Sequence, residues 1–379
     1  MNFSDQVKRN KLVVYIQTRG SFTCLFYCPL VWEGCEMMDN KGKKVPFNGK
    51  LFRYLLTLIY LIIIIVVFLP KIIKKDEILS IINELNIIFL SLAVIAQILS
   101  YFGSGYMLKT LLSHDKLRIS VFRGALITMA AASVGLVAGG WISSALVTYY
   151  LVPKNKKNEG DAELAGIMPP LFNTIILVIV SFIGALYLVI HHDLSKNQII
   201  FYMSILIIMT LGILGVFYGF FHKNKVKALV TEIIDKVNNN KKHKFDAIRI
   251  TNKIDNFFNR LYLLSNYKWN RPVFGSFMNI LFDIMTLYIL FIAADYHINP
   301  LILIAGYGIT FLIGRGAFFI PGGAGVIEGG MVGIYSNLGL PGNVCVVAVL
   351  GYRLLSFWIP SLLGFISMIY LKKIYINKK

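Results

Sequence analysis

Three ionisable side chains stand inside apolar sequence near the carboxyl end of the chain, at Arg315, Glu328 and Arg353. A charged group at bilayer depth is costly and marks a functional or a paired position. Glu328 follows a glycine-rich break, and Arg353 lies about two to three turns into the next predicted helix, so a helical hairpin can bring the two level. Two interpretations follow for this pair. It is either a structural ion pair that locks two helices or a direct contact for a substrate headgroup.

The sequence PGGAGVIEGG breaks the helical pattern at Pro321, Gly322, Gly323 and Gly325. Glycine lets the backbone approach a ligand closely, and the amino end of a helix attracts anions. We expect a helix to begin near Val326 and to direct its positive end towards this break. The chemistry that this pattern predicts is recognition of a phosphate, as in a phospholipid headgroup.

Other polar residues are weaker candidates. Asp283 lies within a predicted span and Asp295 at its outer edge, while His191, His192 and Asp193 are expected in an external turn and not in a metal site. The sequence has no GxxxxGK[ST], GxSxG or HExxH pattern, so neither nucleotide hydrolysis nor serine or zinc hydrolysis has visible parts. We therefore expect no catalytic residues, no cofactor and no metal.

The composition is that of a membrane protein. Of 379 residues, 56% are hydrophobic and 15% are charged, and the formal charge is +19. A soluble domain carries roughly 25% charged residues. Basic residues concentrate between the apolar stretches, which is typical of cytoplasmic loops near anionic headgroups. A nucleic-acid partner is the weaker interpretation of this charge.

Six transmembrane helices and two broken or re-entrant hairpins are predicted, which makes an all-α polytopic membrane protein. The hairpins are 120–151, interrupted at Gly139 and Gly140, and 300–340, interrupted at the PGG sequence. Backbone freed by such a break must line protein or water, because lipid cannot satisfy it. The six predicted spans are 51–70, 82–108, 163–190, 198–221, 273–294 and 343–371.

The pattern of helix, broken hairpin and helix occurs twice, at 82–190 and at 273–371, and the charged loops give the two copies opposite orientations. This predicts an inverted-topology repeat with a substrate site near the bilayer midplane. Both termini are expected in the cytoplasm, in a multi-pass protein of the cell membrane.

Two segments outside the spans complete the domain assignment. Residues 1–50 are expected to form a cytoplasmic extension, whose first 36 residues allow a start at Met38 as an alternative, and 51–379 form the integral domain. The connector 222–270 carries 11 Lys or Arg residues against four acids. Apolar residues at helical spacing predict an amphipathic helix there, either in contact with headgroups or simply solvated.

The carboxyl-terminal sequence resembles the transmembrane region of lysylphosphatidylglycerol synthases, a flippase-like family that includes the amino-terminal half of the multiple peptide resistance factor. The resemblance is carried by PGGAGVIEGG at Pro321, LGLPGNVCVVAVLGYRLL from Leu338 and FWIPSLLG ending at Gly364. It implies substrate-binding roles for Arg315, Gly322, Gly323, Glu328 and Arg353.

The resemblance implies a lipid translocase for phosphatidylglycerol or lysyl-phosphatidylglycerol, linked to resistance against cationic peptides. The alternative is a phosphatidylglycerol lysyltransferase, which takes lysine from lysyl-tRNA, or its membrane subunit. Full-length synthases add a soluble transferase domain, and this sequence ends at Lys379 directly after the last predicted span. The expected partners are an anionic or aminoacylated phospholipid and, for the alternative, a separate soluble aminoacyltransferase. Only the alternative involves a nucleic acid.

Overall fold

The computed structural model describes residues 85–376 with gaps at 113–118, 139–146, 149–150, 152–158, 192–195, 241–250, 252–254, 256–257, 259–268 and 317–320. The predicted extension 1–50, the first predicted span 51–70 and the predicted break at Gly139 and Gly140 lie outside these residues. The prediction of an all-α polytopic membrane protein is confirmed, and no strand occurs in the described part of the chain.

The helices are numbered here in chain order. A 3₁₀ turn at Pro321–Gly323 precedes α8, and a π segment at Leu354–Trp358 joins α9 to α10. The helices are α1 (Ile87–Leu112), α2 (Val121–Ala138), α3 (Glu159–His191), α4 (Lys196–Phe221), α5 (Lys223–Asn240), α6 (Asn270–Ala293), α7 (Pro300–Gly316), α8 (Val326–Asn337), α9 (Gly342–Arg353) and α10 (Ile359–Ile376).

Four stretches of the described chain are long and apolar enough to cross a membrane. They coincide with the predicted spans 82–108, 163–190, 273–294 and 343–371. Helix α4 stands where 198–221 was predicted and is 26 residues long. The four are Ile87–Leu112, Ala165–His191, Asn270–Ala293 and Gly342–Leu371.

Helices α1 and α6 form the central pair, and they run antiparallel, since the Asn86 amide donates to the Ala293 carbonyl at 3.3 Å. Glycines set their separation. A Cβ added at Gly275 would lie 2.7 Å from the Met107 nitrogen, and one at Gly103 would lie 2.7 Å from the Asn279 nitrogen. Small residues at a crossing let two helix backbones approach closely, which drives helix association in lipid.

Glycines also allow close backbone contact at other helix crossings. A Cβ at Gly105 would meet the Val121 carbonyl of α2 at 2.3 Å, and one at Gly184 on α3 would meet the Ala305 backbone of α7 at 2.5 Å. Gly364 on α10 packs in this way on the Met129 carbonyl of α2. The pairs α1 with α2, α3 with α7 and α2 with α10 are therefore fixed by backbone contact.

Within 300–340 the described chain has a 3₁₀ turn at Pro321–Gly323 between two helices. Helices α7 and α8 fold back on each other as a hairpin, with the Tyr335 ring against Gly306 and the Ile327 side chain against Gly314. With 12 residues, α8 is about 18 Å long, short of the ~30 Å hydrocarbon core. A re-entrant hairpin is therefore favoured over two full crossings.

The described helices pair as an inverted repeat would require. Helices α1 and α6 begin the two predicted halves and are antiparallel, and the contact of α3 with α7 has its counterpart in the contact of α10 with α2. Because the first hairpin lies mostly outside the described residues, the repeat itself stays a prediction.

The connector begins with the predicted amphipathic helix, α5. The ammonium groups of Lys223 and Lys227 lie 3.1 and 2.8 Å from the carboxylate of Asp255. The hydrogen bonds that these two lysines donate lower the pKa of Asp255, and the bond from Lys227 has the larger effect. Part of the connector's positive charge is thus neutralised within the connector, and its contact with headgroups stays a prediction.

The glycine contacts give a testable expectation for stability. Gly275→Ala should lower the unfolding temperature in detergent, because its Cβ would press on the Met107 backbone and overpacking costs typically 1–3 kcal/mol. Gly212→Ala is the matched control on α4, since nothing lies within 4 Å of its added Cβ. The control should unfold at the wild-type temperature or above, because alanine favours helix by about 1 kcal/mol. Equal behaviour of the two variants would contradict the close crossing of α1 and α6.

Candidate functional site

Glu328 and Arg353 form the buried ion pair that the sequence predicted. Glu328 lies in the first turn of α8 and Arg353 ends α9, and the Arg353 Nε donates to the Glu328 Oε1 at 2.7 Å. Each side chain is only 3% exposed. The two charges are therefore held together out of contact with solvent or lipid.

The remaining polar atoms of the pair bind the glycine turn. The Glu328 Oε2 accepts the Gly325 amide at 2.7 Å, and the Arg353 Nη2 donates to the Gly322 carbonyl at 2.9 Å. The Arg353 guanidinium also stands over the Phe357 ring, 4.5 Å from its centroid. Backbone groups that the helix break sets free are thus satisfied by two charged side chains, as bilayer depth demands.

This geometry bears on the anion that was expected at the amino end of α8. An anion was expected there, and the anion that takes this position is the carboxylate of Glu328 itself. Because the pair is hydrogen-bonded on both sides, it has the features of a structural clamp. A direct role of Glu328 and Arg353 in substrate binding stays a prediction.

The backbone conformation of the turn favours glycine at three positions. Gly322, Gly323 and Gly325 have φ of 61°, 63° and 81°, the left-handed region that favours glycine. A Cβ at Gly322 would also lie 2.2 Å from the Phe357 ring. The turn is therefore pressed onto the π segment, and larger residues do not fit at Gly322.

Arg315 is separate from this clamp. It ends α7, and its Nη1 donates to the Thr174 hydroxyl and, at 3.4 Å, to the Pro170 carbonyl of α3. Among the described residues no carboxylate lies within ion-pair distance of it. Arg315 is half-buried, and the neighbouring Gly314 packs close to Gly323 of the turn. An arginine with only neutral partners thus lies beside the glycine turn.

Asp283 is the centre of a second polar cluster. Its Oδ1 accepts hydrogen bonds from the Gln97 amide and the Ser100 hydroxyl, both at 2.9 Å. Its Oδ2 accepts from the hydroxyls of Tyr307 at 3.2 Å and Tyr352 at 3.3 Å. Four donors from α1, α7 and α9 therefore converge on one carboxylate of α6.

Hydrogen bonds continue this cluster towards α3. The Asn279 amide donates to the Ser100 hydroxyl at 2.8 Å, and the Asn173 amide donates to the Asn279 carbonyl oxygen at 3.4 Å. The residue after Asn173 is Thr174, which holds Arg315. A polar path thus joins the neighbourhood of Arg315 to Asp283 through four helices.

Asp283 and Arg315 do not compensate each other's charge well. Tyr307, which touches Asp283, and Arg315 are eight residues apart on α7, about 12 Å along the helix. For scale, two unit charges about 12 Å apart attract by about 1.4 kcal/mol at an effective dielectric constant of about 20. Burying one ion costs several kcal/mol, so each of the two needs a nearer partner.

In the π segment after Arg353, one backbone carbonyl lacks its helical N–H donor, and a side chain donates to it instead. Pro360 has no N–H with which to serve the Ser356 carbonyl, and the Tyr101 hydroxyl of α1 donates to that carbonyl at 2.8 Å. π-Helical turns are rare and concentrate at functional sites. Here the segment lies directly behind the glycine turn.

The remaining candidates lie elsewhere. Asp295 is exposed at the end of α6, and His191 is exposed at the end of α3, where it stacks on Tyr187. His192 and Asp193 fall outside the described residues. The described part of the chain contains no group of three His, Cys, Asp or Glu residues that could hold a metal ion.

Asp283 was placed among the weaker candidates, and its four donors were not predicted from the sequence. A signal was present, because Gln97, Ser100 and Ser104 repeat the spacing i, i+3, i+7 within an apolar helix. On α6 the polar residues Ser276, Asn279 and Asp283 have the same spacing. Such spacing puts three polar side chains on one helix face, and two such faces in antiparallel helices can pair.

Comparison with known proteins gives a family match over most of the chain. The sequence pattern that describes the lysylphosphatidylglycerol synthase transmembrane region matches residues 54–364. A UPF0104 membrane protein of Methanocaldococcus jannaschii is 31% identical over 140 residues, which are 36% of this chain and 41% of that protein. A UPF0104 membrane protein of Methanothermobacter thermautotrophicus is 26% identical over 207 residues, 54% of this chain and 52% of that protein. The chain thus spans about half the length of these relatives.

The clamp can be tested by a double-mutant cycle. Glu328→Gln and Arg353→Met should each destabilise the protein by about 3–5 kcal/mol, because each leaves one buried charge unpaired. The double variant should lose less than the sum of the two. Unfolding in detergent measures all three, and strictly additive losses would contradict a direct buried pair.

Proposed function

We propose, from the lysylphosphatidylglycerol synthase transmembrane-region family to which this chain belongs, that it is a lipid translocase for phosphatidylglycerol or its lysyl form. The observation that carries the proposal is Arg315, a half-buried arginine beside the glycine turn without an acidic partner among the described residues. In this proposal Arg315 binds the lipid phosphate during its passage between leaflets.

The two arginines of the hairpin region have different electrostatic states. The charge of Arg353 is cancelled by Glu328 at 2.7 Å, so a phosphate that approached Arg353 would also meet a carboxylate. Among the described residues, the partners of Arg315 are a hydroxyl and a carbonyl of α3. Guanidinium groups bind phosphate with two parallel hydrogen bonds, and both described bonds of Arg315 come from one terminal nitrogen. Arg315 is therefore the better phosphate ligand.

The glycine turn supports binding at this point. Gly323 lies close to Gly314, and the clamp holds the turn in a fixed shape. Gly322 and Gly323 are packed against the side chains of Phe357 and Ile327, whereas a Cβ added at Gly325 would meet no described atom within 4 Å. In this proposal Gly322 and Gly323 shape the turn beside Arg315, and Glu328 with Arg353 holds it.

A lipid would enter from the side. Large apolar side chains of the described helices are exposed on α1, α3, α4, α6 and α10, as expected where a protein faces acyl chains. The headgroup would then pass along the hairpin while its acyl chains stay in the bilayer. Since the sequence carries no nucleotide-hydrolysis motif, we expect exchange to be passive or ion-coupled.

The description of the matched family names a synthase, and this supports a second candidate function. In that case the chain is a phosphatidylglycerol lysyltransferase, or its membrane subunit acting with a soluble aminoacyltransferase that takes lysine from lysyl-tRNA. Arg315 would then hold the lipid acceptor. Incubation with lysyl-tRNA and phosphatidylglycerol, of the purified chain alone and together with a soluble aminoacyltransferase, distinguishes the two, because only the second candidate makes the formation of lysyl-phosphatidylglycerol depend on this chain.

Both candidates place the protein in the cell membrane with cytoplasmic termini, as the loop charges predict. Resistance to cationic peptides would follow from lysyl-phosphatidylglycerol in the outer leaflet. Its head group then lowers the negative surface potential that attracts such peptides.

The decisive measurement is leaflet exchange of fluorescent phosphatidylglycerol in liposomes that contain the purified chain. Arg315→Gln should reduce exchange by about 10- to 150-fold, because a hydrogen bond to a charged group contributes about 1.5–3 kcal/mol. Arg315→Lys should keep part of the activity. Arg271→Gln is the control, since Arg271 is exposed at the start of α6 and should be dispensable.

Thermal unfolding must first establish that each variant is folded. Wild-type exchange with an unaffected Arg315→Gln variant would remove Arg315 from the lipid path. Absence of exchange in the wild type would overturn the autonomous translocase and leave the enzyme-subunit candidate.

A further inference from the structure

Asp283 is the acidic group of the described interior that the proposed lipid site does not use. It lies in the middle of α6, at the junction with α1, α7 and α9, and no arginine or lysine of the described residues forms an ion pair with it. Its four partners are all neutral donors. An intramembrane carboxylate without a cationic partner is expensive and is a functional candidate by default.

We infer that Asp283 binds and releases a proton, and that its two protonation states differ in how tightly they hold α1, α7 and α9 against α6. The charged form accepts all four hydrogen bonds. The neutral form has one oxygen that is itself a donor, so at least one of the four donors must turn away. Protonation therefore loosens a junction that the carboxylate fastens.

The structure contains a group suited to the neutral form. Gln97 is 95% buried, since its exposed fraction is 5%, and its Oε1 has no hydrogen-bond partner. Its Nε2 donates to Asp283 at 2.9 Å. Rotation of the amide by half a turn exchanges these two atoms and presents Oε1 to the carboxyl group. A protonated Asp283 would then donate to the Gln97 Oε1, while the Gln97 Nε2 would give up its bond to Asp283 and be the donor that turns away.

The other groups around Asp283 do not compete for this proton. Tyr307 of α7 and Tyr352 of α9 face Asp283, and Tyr101 is the phenol of α1 in this region. Arg353, which follows Tyr352 on α9, is already paired with Glu328. From α3 the cluster is reached only through the neutral amide of Asn173 and the Asn279 amide.

The position of the cluster indicates what a proton would control. The polar path from Asp283 through Ser100, Asn279 and Asn173 ends next to Thr174, the residue that holds Arg315. A phosphate bound at Arg315 would cancel the weak attraction between Arg315 and the Asp283 carboxylate, so that proton uptake by Asp283 becomes more favourable. This link to lipid transport rests on the proposed function, whereas proton binding itself does not.

Infrared difference spectroscopy of the full chain in lipid tests proton binding without reference to transport. A protonated carboxyl group has its own C=O band, and wild type should gain that band as pH falls. The chain has 19 Asp and Glu residues, and the other acids contribute to this band as well. Asp283→Asn should remove the component that Asp283 adds and stay folded, because the amide can accept and donate as the neutral acid does. The control Asp295→Asn alters an exposed acid and should leave the band in place.

A second variant guards against loss of folding in Asp283→Asn. Tyr307→Phe keeps the ring but removes one donor to the carboxylate, so it should move the midpoint of the band to higher pH by about one unit. A band that is identical in wild type and Asp283→Asn, or a midpoint unmoved in Tyr307→Phe, would overturn the inference. A spectral change that follows sodium concentration at fixed pH would also overturn it, because the site would then bind a cation and not a proton.

Leaflet exchange then tests the coupling. Exchange by wild type should rise as pH falls, by no more than about tenfold per unit for one proton, and Asp283→Asn should be independent of pH. A titrating band with no exchange at any pH would leave proton binding intact and remove the proposed function. Pronounced pH dependence that persists in Asp283→Asn would remove the coupling from Asp283.

Discussion

The structure depends on one requirement, that polar groups inside a bilayer be satisfied by the protein itself. The hairpin of α7 and α8 violates this requirement at its tip, where the chain leaves the helical pattern. The pair of Glu328 and Arg353 repairs it, because its outer atoms bind the Gly325 amide and the Gly322 carbonyl. The ion pair and the broken helix are thus one device. Neither is stable at this depth without the other.

Close helix packing makes the device possible. Glycines at Gly103, Gly105, Gly275 and Gly364 bring helix backbones into contact, and polar side chains on the facing surfaces can then reach each other. Two donors of Asp283, Gln97 and Ser100, lie on α1, which is held against α6 in this way. A looser arrangement would leave the carboxylate short of partners, which in lipid is a larger loss than the packing itself.

Much of the fold and part of the site followed from sequence because they rest on local rules. Span length fixes α1, α3 and α6, and the PGG sequence fixes the break, since only glycine accepts the φ values found there. The partnership of Glu328 with Arg353 followed from the rarity of charge in lipid.

The donors of Asp283 did not follow, because Gln97, Ser100 and Tyr307 meet it only through the crossing of three helices. Sequence spacing shows that a helix has a polar face but not which face it meets. The partner of Arg315 was equally hidden. Thr174 lies 141 residues away on α3, beside Pro169 and Pro170, and no local pattern connects the two.

The paired and the unpaired charges of the interior are suited to different roles. Arg353 and Glu328 neutralise each other at contact distance, so they hold shape and have little attraction left for a ligand. Neither Arg315 nor Asp283 forms an ion pair with a described residue. Hydrogen bonds lead from Asp283 through Ser100 and Asn279 to Asn173, the residue before Thr174. A charge without an opposite partner is costly in lipid, and this cost is the reason to propose an anion as the ligand of Arg315 and a proton as the ligand of Asp283.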